Sequence, residues 1–307
     1  MNSFEFSAAA RWIAALVAAL LQCAAWAQPN PQAQAEARAA IEAAQKTKVS
    51  GPSDVKLGDQ AVLKLPQAYV FVPPAEGGRL LKAMGNHPSE GLLGLVFPEG
   101  PGEWLVVMSF VKAGYVKDDD ARDWKADELL ANLREGTEQA NAERRTRGFP
   151  ELEIAGWVEA PAYHAGTHRL VWSAETKRKT APADAERGVN YNTYALGREG
   201  YISLNLVTGM NTIQAEKPNA HTLLAALEYK DGKRYGDFNS STDHVAEYGL
   251  AALIGGVAAK KLGLFALLFA FLVKFAKVIG IAAVAIGAIA FKFFRRKKEA
   301  APPPPQA

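Results

Sequence analysis

At 307 residues, with 49 % of them apolar and a single cysteine, the chain is long enough for one substantial domain and excludes a disulfide scaffold. Its net charge of +3 hides an asymmetry: residues 249–307 carry nine Lys/Arg against one Glu (+8), whereas residues 28–248 carry 25 Lys/Arg against 30 Asp/Glu (−5). An acidic body has no electrostatic footprint for nucleic acid, so that partner is excluded.

The N-terminus has the form of a secretory signal peptide over residues 1–27. Arg11 precedes an apolar run from Trp12 to Leu21, and Ala25-Trp26-Ala27 supplies a small-residue cleavage site. An uncleaved N-terminal anchor is the alternative. Cleavage after Ala27 removes Cys23, the one cysteine, and with it any thiolate nucleophile or cysteine metal site. Gln22 stands where lipidation of Cys23 would require a small residue, which argues against a lipoprotein. Residues 28–50 are rich in Ala and Gln with almost no large aliphatic side chains, and read as a linker or loose helix from Pro31 to Lys48.

An exported domain is expected over residues 51–245. Ala61–Leu65 and Tyr69–Val72 are short β-prone runs, and Glu76–Gly85 fits a short helix. Gly91–Phe97 and Trp104–Val111 flank Pro98-Glu99-Gly100-Pro101-Gly102, which predicts a hairpin. The triplet Asp118-Asp119-Asp120 is expected to cap and charge the N-terminus of a helix running from about Arg122 to Arg147. That helix is apolar only in its first half, so Gly136–Arg147 is expected to project into solvent or onto a partner. Ile154–Val158 and Arg169–Trp172 are predicted strands, joined by a polar connection holding His164 and His168. Asn190–Leu196 and Gly200–Val207 alternate: Tyr191, Thr193 and Ala195 against Asn192, Tyr194 and Leu196, then Ile202, Leu204 and Leu206 against Ser203 and Asn205. Such alternation means one buried and one solvated face. Asn219 is expected to cap a helix from Ala220 to Leu227. The order of elements lacks strict strand–helix alternation, which makes the fold class α+β with a mainly antiparallel sheet and a few helices.

Residues 246–294 read as a membrane-associated helical segment. The apolar run Leu262–Val273 is broken by Lys274 and Lys277 and resumes over Val278–Phe291. Neither run alone reaches the roughly 20 residues a crossing needs. Three layouts compete: one long tilted helix; a crossing over Val278–Phe294 with the preceding part interfacial or re-entrant; or a hairpin turning at the lysines. One net crossing in the second layout fits best, because Arg295–Lys298 then begin a cytoplasmic tail over residues 295–307. The cytoplasmic membrane follows as the location, with the bulk of the chain in the periplasm and membrane lipid as a partner. Recurrent glycines in the segment are compatible with self-association.

Catalytic signatures are absent from the sequence: no phosphate loop, dinucleotide glycine fingerprint, G-x-S-x-G elbow or H-E-x-x-H. His164 and His168 lack a third metal ligand in sequence, and the acidic triplet lacks the ordering of a calcium loop. No catalytic, cofactor or metal residue is therefore assigned, and no cofactor is expected. Gly114-Tyr115-Val116 through Ala121, Leu170-Val171-Trp172, Gly209–Ile213 with Lys217-Pro218, and Arg234-Tyr235 with Asp237-Phe238-Asn239 together resemble a bacterial family of uncharacterised membrane-anchored proteins, domain-of-unknown-function family 2167. The resemblance spans about Gly51 to Arg296, with His244 where the family pattern has a lysine. It implies an exported domain with a C-terminal anchor and supplies no activity. The reading that fits best is a non-enzymatic binding or protein-interaction module. The alternatives are a periplasmic hydrolase with a site assembled in three dimensions, and a subunit of a membrane assembly in which Lys274 and Lys277 face a cavity.

Overall fold

The computed structural model describes residues 31–255 apart from 85, 87, 101, 147–149, 183, 184 and 186. The first elements are α1 (Pro31–Thr47), β1 (Val49–Ser50), β2 (Ser53–Leu57), β3 (Ala61–Leu65) and β4 (Tyr69–Val72). Then come α2 (Pro74–Ala83), β5 (Leu92–Pro98), β6 (Leu105–Val111) and α3 (Ala126–Thr146). The remainder is β7 (Leu152–His164), β8 (Arg169–Arg178), β9 (Gly188–Leu196), β10 (Tyr201–Gly209), α4 (Ile213–Ala225), β11 (Leu227–Tyr229) and α5 (Ala251–Gly255). Every strand pairing is antiparallel, so this part of the chain is α+β with a mainly antiparallel sheet.

Eight strands form one sheet in the order β1-β4-β5-β6-β10-β9-β8-β7, and three form a second in the order β11-β3-β2. The alternation of β9 and β10 decides what each face carries. Tyr191, Ala195, Ile202, Leu204 and Leu206 point to one face, where they pack with α4 and the small sheet. The opposite face is covered at two places. Ala40 and Ala44 of α1 with Leu80 and Leu81 of α2 pack over β4, β5 and β6. Leu129 of α3 with Leu253 and Ile254 of α5 pack over Leu170 and Trp172 of β8. The β9–β10 turn requires a glycine: Gly200 has φ +152°, and a Cβ there would lie 1.9 Å from the Val111 carbonyl oxygen.

Both sheet edges are protected. β1 is two residues long. β7 shifts register three times, between Ile154 and Gly156, Trp157 and Glu159, and Glu159 and Ala162. Such bulges, with a covering element, discourage edge-to-edge pairing. The cover is α3. Arg134 donates to the carbonyls of Ile154 (3.1 Å) and Ala155 (2.7 Å). Arg144 Nε donates to Pro150 O at 2.8 Å. Asn141, 0 % exposed, accepts from Leu152 N (2.9 Å) and donates to Leu152 O (2.8 Å). Residues 138–140, 142, 145 and 146 of the polar second half of α3 are exposed, as expected of Gly136–Arg147, but Asn141 and Arg144 are spent on main chain, at Leu152 of β7 and at Pro150 just before it. Hydropathy misses this because the bonds join polar side chains to main chain.

Other differences have similarly local reasons. Of the linker or loose helix expected from Pro31 to Lys48, the helix forms, as α1, and it packs: Ala37, Ala40 and Ala44 are buried, a stripe too small to register as apolar. Helix α4 begins at Ile213 with Pro218 inside it, and Asn219 accepts from Tyr69 Oη at 2.8 Å instead of capping. The aspartate triplet does not cap α3. Asp119 and Asp120 lie in a single 3-10 turn, and Asp120 accepts from the amides of Leu250 (3.1 Å) and Ala251 (3.0 Å). It caps α5 from 130 residues away in sequence, a distance no local pattern reveals.

Among the described residues no helix is long and apolar enough to cross a membrane. The stretches read as signal peptide (1–27) and cytoplasmic tail (295–307), and 256–294 of the expected anchor, lie outside the described residues. Replacing Asn141 by Ala removes both bonds to Leu152 and is expected to cost about 1–3 kcal/mol in urea unfolding. Gln139→Ala, on the exposed side of the same helix, is expected to stay within about 0.5 kcal/mol of the parent.

Candidate functional site

Between the two helical covers, the centre of the sheet's second face stays open. β6, β10 and β9 run side by side there. Register sets Ser203 opposite Ser109 on one side and opposite Tyr194 on the other. Asn205 likewise faces Val107 and Asn192. The result is a groove of about 560 Å³. Its floor carries Asn190, Asn192, Asn205, Ser109 and Ser203. The same strands add Leu105, Val107 and Val207 to the floor, and Leu81 and Met84 at the end of α2 build an apolar wall beside it. Asn86, Pro88 and Ser89 of the following segment complete that side. Tyr194 and Tyr201 line the groove as well, their rings edge to face at 5.7 Å.

No charged side chain occurs among the described residues that line this groove. Burial pushes the phenols of Tyr194 and Tyr201 up, so both stay neutral donors at any physiological pH. The floor is only partly self-satisfied. Asn205 Nδ2 reaches Asn190 Oδ1 at 3.3 Å while its own Oδ1 has no hydrogen-bond partner. Asn192 Nδ2 donates to Asn190 O at 3.1 Å, and the hydroxyls of Ser89 and Ser109 pair at 3.0 Å. The arrangement can donate to and accept from a neutral polar ligand while packing an apolar part of it. It offers no nucleophile–base pair.

A second cluster lies at the β7–β8 turn. Tyr163 Oη donates to Asp118 Oδ2 at 2.6 Å and lies 3.1 Å from His168 Nδ1. His168 has φ +52° and stacks on Tyr235 at 4.1 Å; Tyr115 stacks on Tyr235 at 4.4 Å and on Phe238 at 3.9 Å. Burial first, and the Asp118 carboxylate second, hold the Tyr163 phenol far above its ordinary range. The fold thus joins His168 to a carboxylate that sequence reasoning treated as a cap, and leaves His164 exposed. His221 Nε2 lies 2.9 Å from Tyr191 Oη. Among the described residues no group of three or more His, Cys, Asp or Glu could hold a metal ion.

The turn between β9 and β10 is anchored from outside the sheet. Arg198 grips Asp243 in a two-pronged ion pair, Nε to Oδ2 at 2.6 Å and Nη2 to Oδ1 at 2.8 Å. Asn239 N and Thr242 Oγ1 add bonds to the same carboxylate. The Arg198 guanidinium, then the Asn239 amide, hold the Asp243 carboxyl well below the usual carboxylate range. This pair ties the turn before Tyr201 to the segment that leads into α5.

Sequence reasoning assigned no site residue, so the groove is a product of the structure. Its signal was nonetheless present: the solvated positions of β9 and β10 are uncharged Asn, Ser and Tyr where Lys and Glu would be ordinary. A family model described as "Protein of unknown function (DUF2167)" matches residues 49–287. The solution structure of cyanobacterial PsbP (CyanoP) from Synechocystis sp. PCC 6803 is similar at a TM-score of 0.35 and 9 % identity, over 60 % of this chain and 91 % of that one. No curated relative matches.

A carboxylate whose folded pKa is depressed adds stability above its unfolded value, near 3.9, and loses it as pH falls through the folded value. Asp243→Asn is therefore expected to lower stability at neutral pH and to flatten its decline between about pH 4 and pH 2, followed by thermal unfolding across that range.

Proposed function

The chain belongs to the DUF2167 family of proteins of unknown function, and within it we propose a non-enzymatic binding module. The observation that carries this reading is the uncharged groove over β6, β10 and β9, whose lining brings Asn and Ser side chains together with Leu81, Met84 and Val107. A concave site with apolar walls and a few convergent polar groups is the usual form of a ligand pocket. In the same proposal the chain is exported and held in the cytoplasmic membrane by one net crossing within 246–294, with the groove in the periplasm. The support is the apolar segment and the basic run Arg295–Lys298.

A hydrolase is the second reading, favoured by the contact of His168 with Tyr163 beside Asp118. One experiment separates the two. Full-length protein in a polyoxyethylene detergent is screened by thermal shift against neutral, anionic, cationic and peptide ligands, and each ligand is recovered and analysed. A binding module raises its melting temperature with at least one ligand, returns it unchanged, and loses the response in Ser203→Trp, which fills the groove. A ligand returned cleaved, with turnover lost in His168→Ala, replaces the module by the enzyme. No response to any class of ligand overturns both readings.

The membrane proposal is checked by fractionation. The full chain is expected to resist alkaline carbonate extraction, and a chain ending at residue 255 to be released. Release of both overturns the anchor.

A further inference from the structure

We infer that the groove takes an uncharged saccharide; this rests on the binding-module reading and names its ligand class. The first ground is charge. An anionic or cationic ligand buried against a sheet needs a counter-charge, and the described lining holds none. The second is donor–acceptor balance. Side-chain amides and hydroxyls each donate and accept, as ring hydroxyls do, whereas a lining of backbone carbonyls or of ammonium groups serves one role only. Asn192, Asn205 and Ser203 stand on adjacent strands, Asn205 directly opposite Asn192. They form a patch of such groups rather than a single anchor point.

The third ground is the pairing of this floor with flat or aliphatic surfaces. Sugar rings have one polar rim and C–H faces that pack on aromatic and aliphatic side chains. Tyr194 and Tyr201, with Leu81 and Met84 on the apolar wall and Val107 beside Asn205 on the floor, supply those surfaces next to the polar groups. The fourth ground excludes the closest rival. An extended peptide on a sheet binds through main-chain bonds to an open edge. The groove lies on the face of interior strands, where β10 is paired on both sides, by β6 and by β9, along its length. A peptide there finds no free backbone to pair with.

The test is titration calorimetry on the full chain in a polyoxyethylene detergent, chosen because glycoside detergents would present sugar headgroups. The probes are cellotetraose, tetra-N-acetylchitotetraose and an uncharged acetylated Gly-Ser-Ala-Gly amide. Saturable binding of at least one oligosaccharide is expected, independent of pH between 6 and 9, and weakened about tenfold or more in Asn205→Ala. Asn192→Asp keeps the side-chain shape but cannot donate. It should weaken binding as much, and it serves where Asn205→Ala fails to fold by thermal unfolding. Binding of the peptide in place of either oligosaccharide overturns the saccharide assignment and leaves the binding module standing. Oligosaccharide binding unaltered by both variants overturns the assignment to this groove. Absence of saturable oligosaccharide binding overturns the inference, and the wider ligand screen then decides the module separately.

Discussion

Side-chain alternation along β6, β10 and β9 is the constraint on which the rest of the structure depends. A strand sends successive side chains to opposite faces, so one register choice places Ile202, Leu204 and Leu206 in the core and Ser203 and Asn205 in the groove. A slip by one residue would bury the asparagine and serine row and expose the leucines. Stability and groove chemistry are therefore set by the same alternation. Gly200, the only residue type that fits against Val111, and the Arg198–Asp243 pair hold the turn that enforces it.

The groove exists because the second face is covered incompletely. α1 and α2 cover one flank and α3 with α5 the other, leaving the central strands open. Each cover is secured by means other than bulk hydrophobicity. α1 uses alanines, which allow close approach, and α3 uses Arg134 and Asn141, which bond the main chain of the edge strand β7. α5 is fixed by the Asp120 carboxylate on its first amides and by Tyr194 Oη donating to Leu253 O at 3.3 Å. Tyr194 is also a groove residue, so the end of the groove and the last described helix share a side chain.

The Asp118–Tyr163–His168 cluster follows a different logic. Its phenol is held neutral by burial and a nearby carboxylate, and its imidazole lies flat on a stack of aromatic rings. Such packing joins the loop after β6, the β7–β8 turn and the segment at Tyr235, three pieces far apart in sequence. It accounts for the aromatic and acidic residues there as a structural junction.

Local periodicity in the sequence determined the α+β class, the hairpins of β5–β6 and β9–β10, and the face on which each residue of β9 and β10 lies, because these depend only on near neighbours and turn chemistry. The compositional contrast between the acidic body and the basic C-terminus is likewise a property of sequence. Tertiary structure alone decided that the solvated face of β9 and β10 is the floor of a groove, that Arg134 and Asn141 of α3 bond the main chain of β7, and that Asp120 caps a helix 130 residues on. Those outcomes are long-range bonds between polar side chains and main chain, or gaps left between covering helices. Neither leaves a periodic trace in the chain, since what matters is which distant backbone atoms remain unpaired once the sheet has formed.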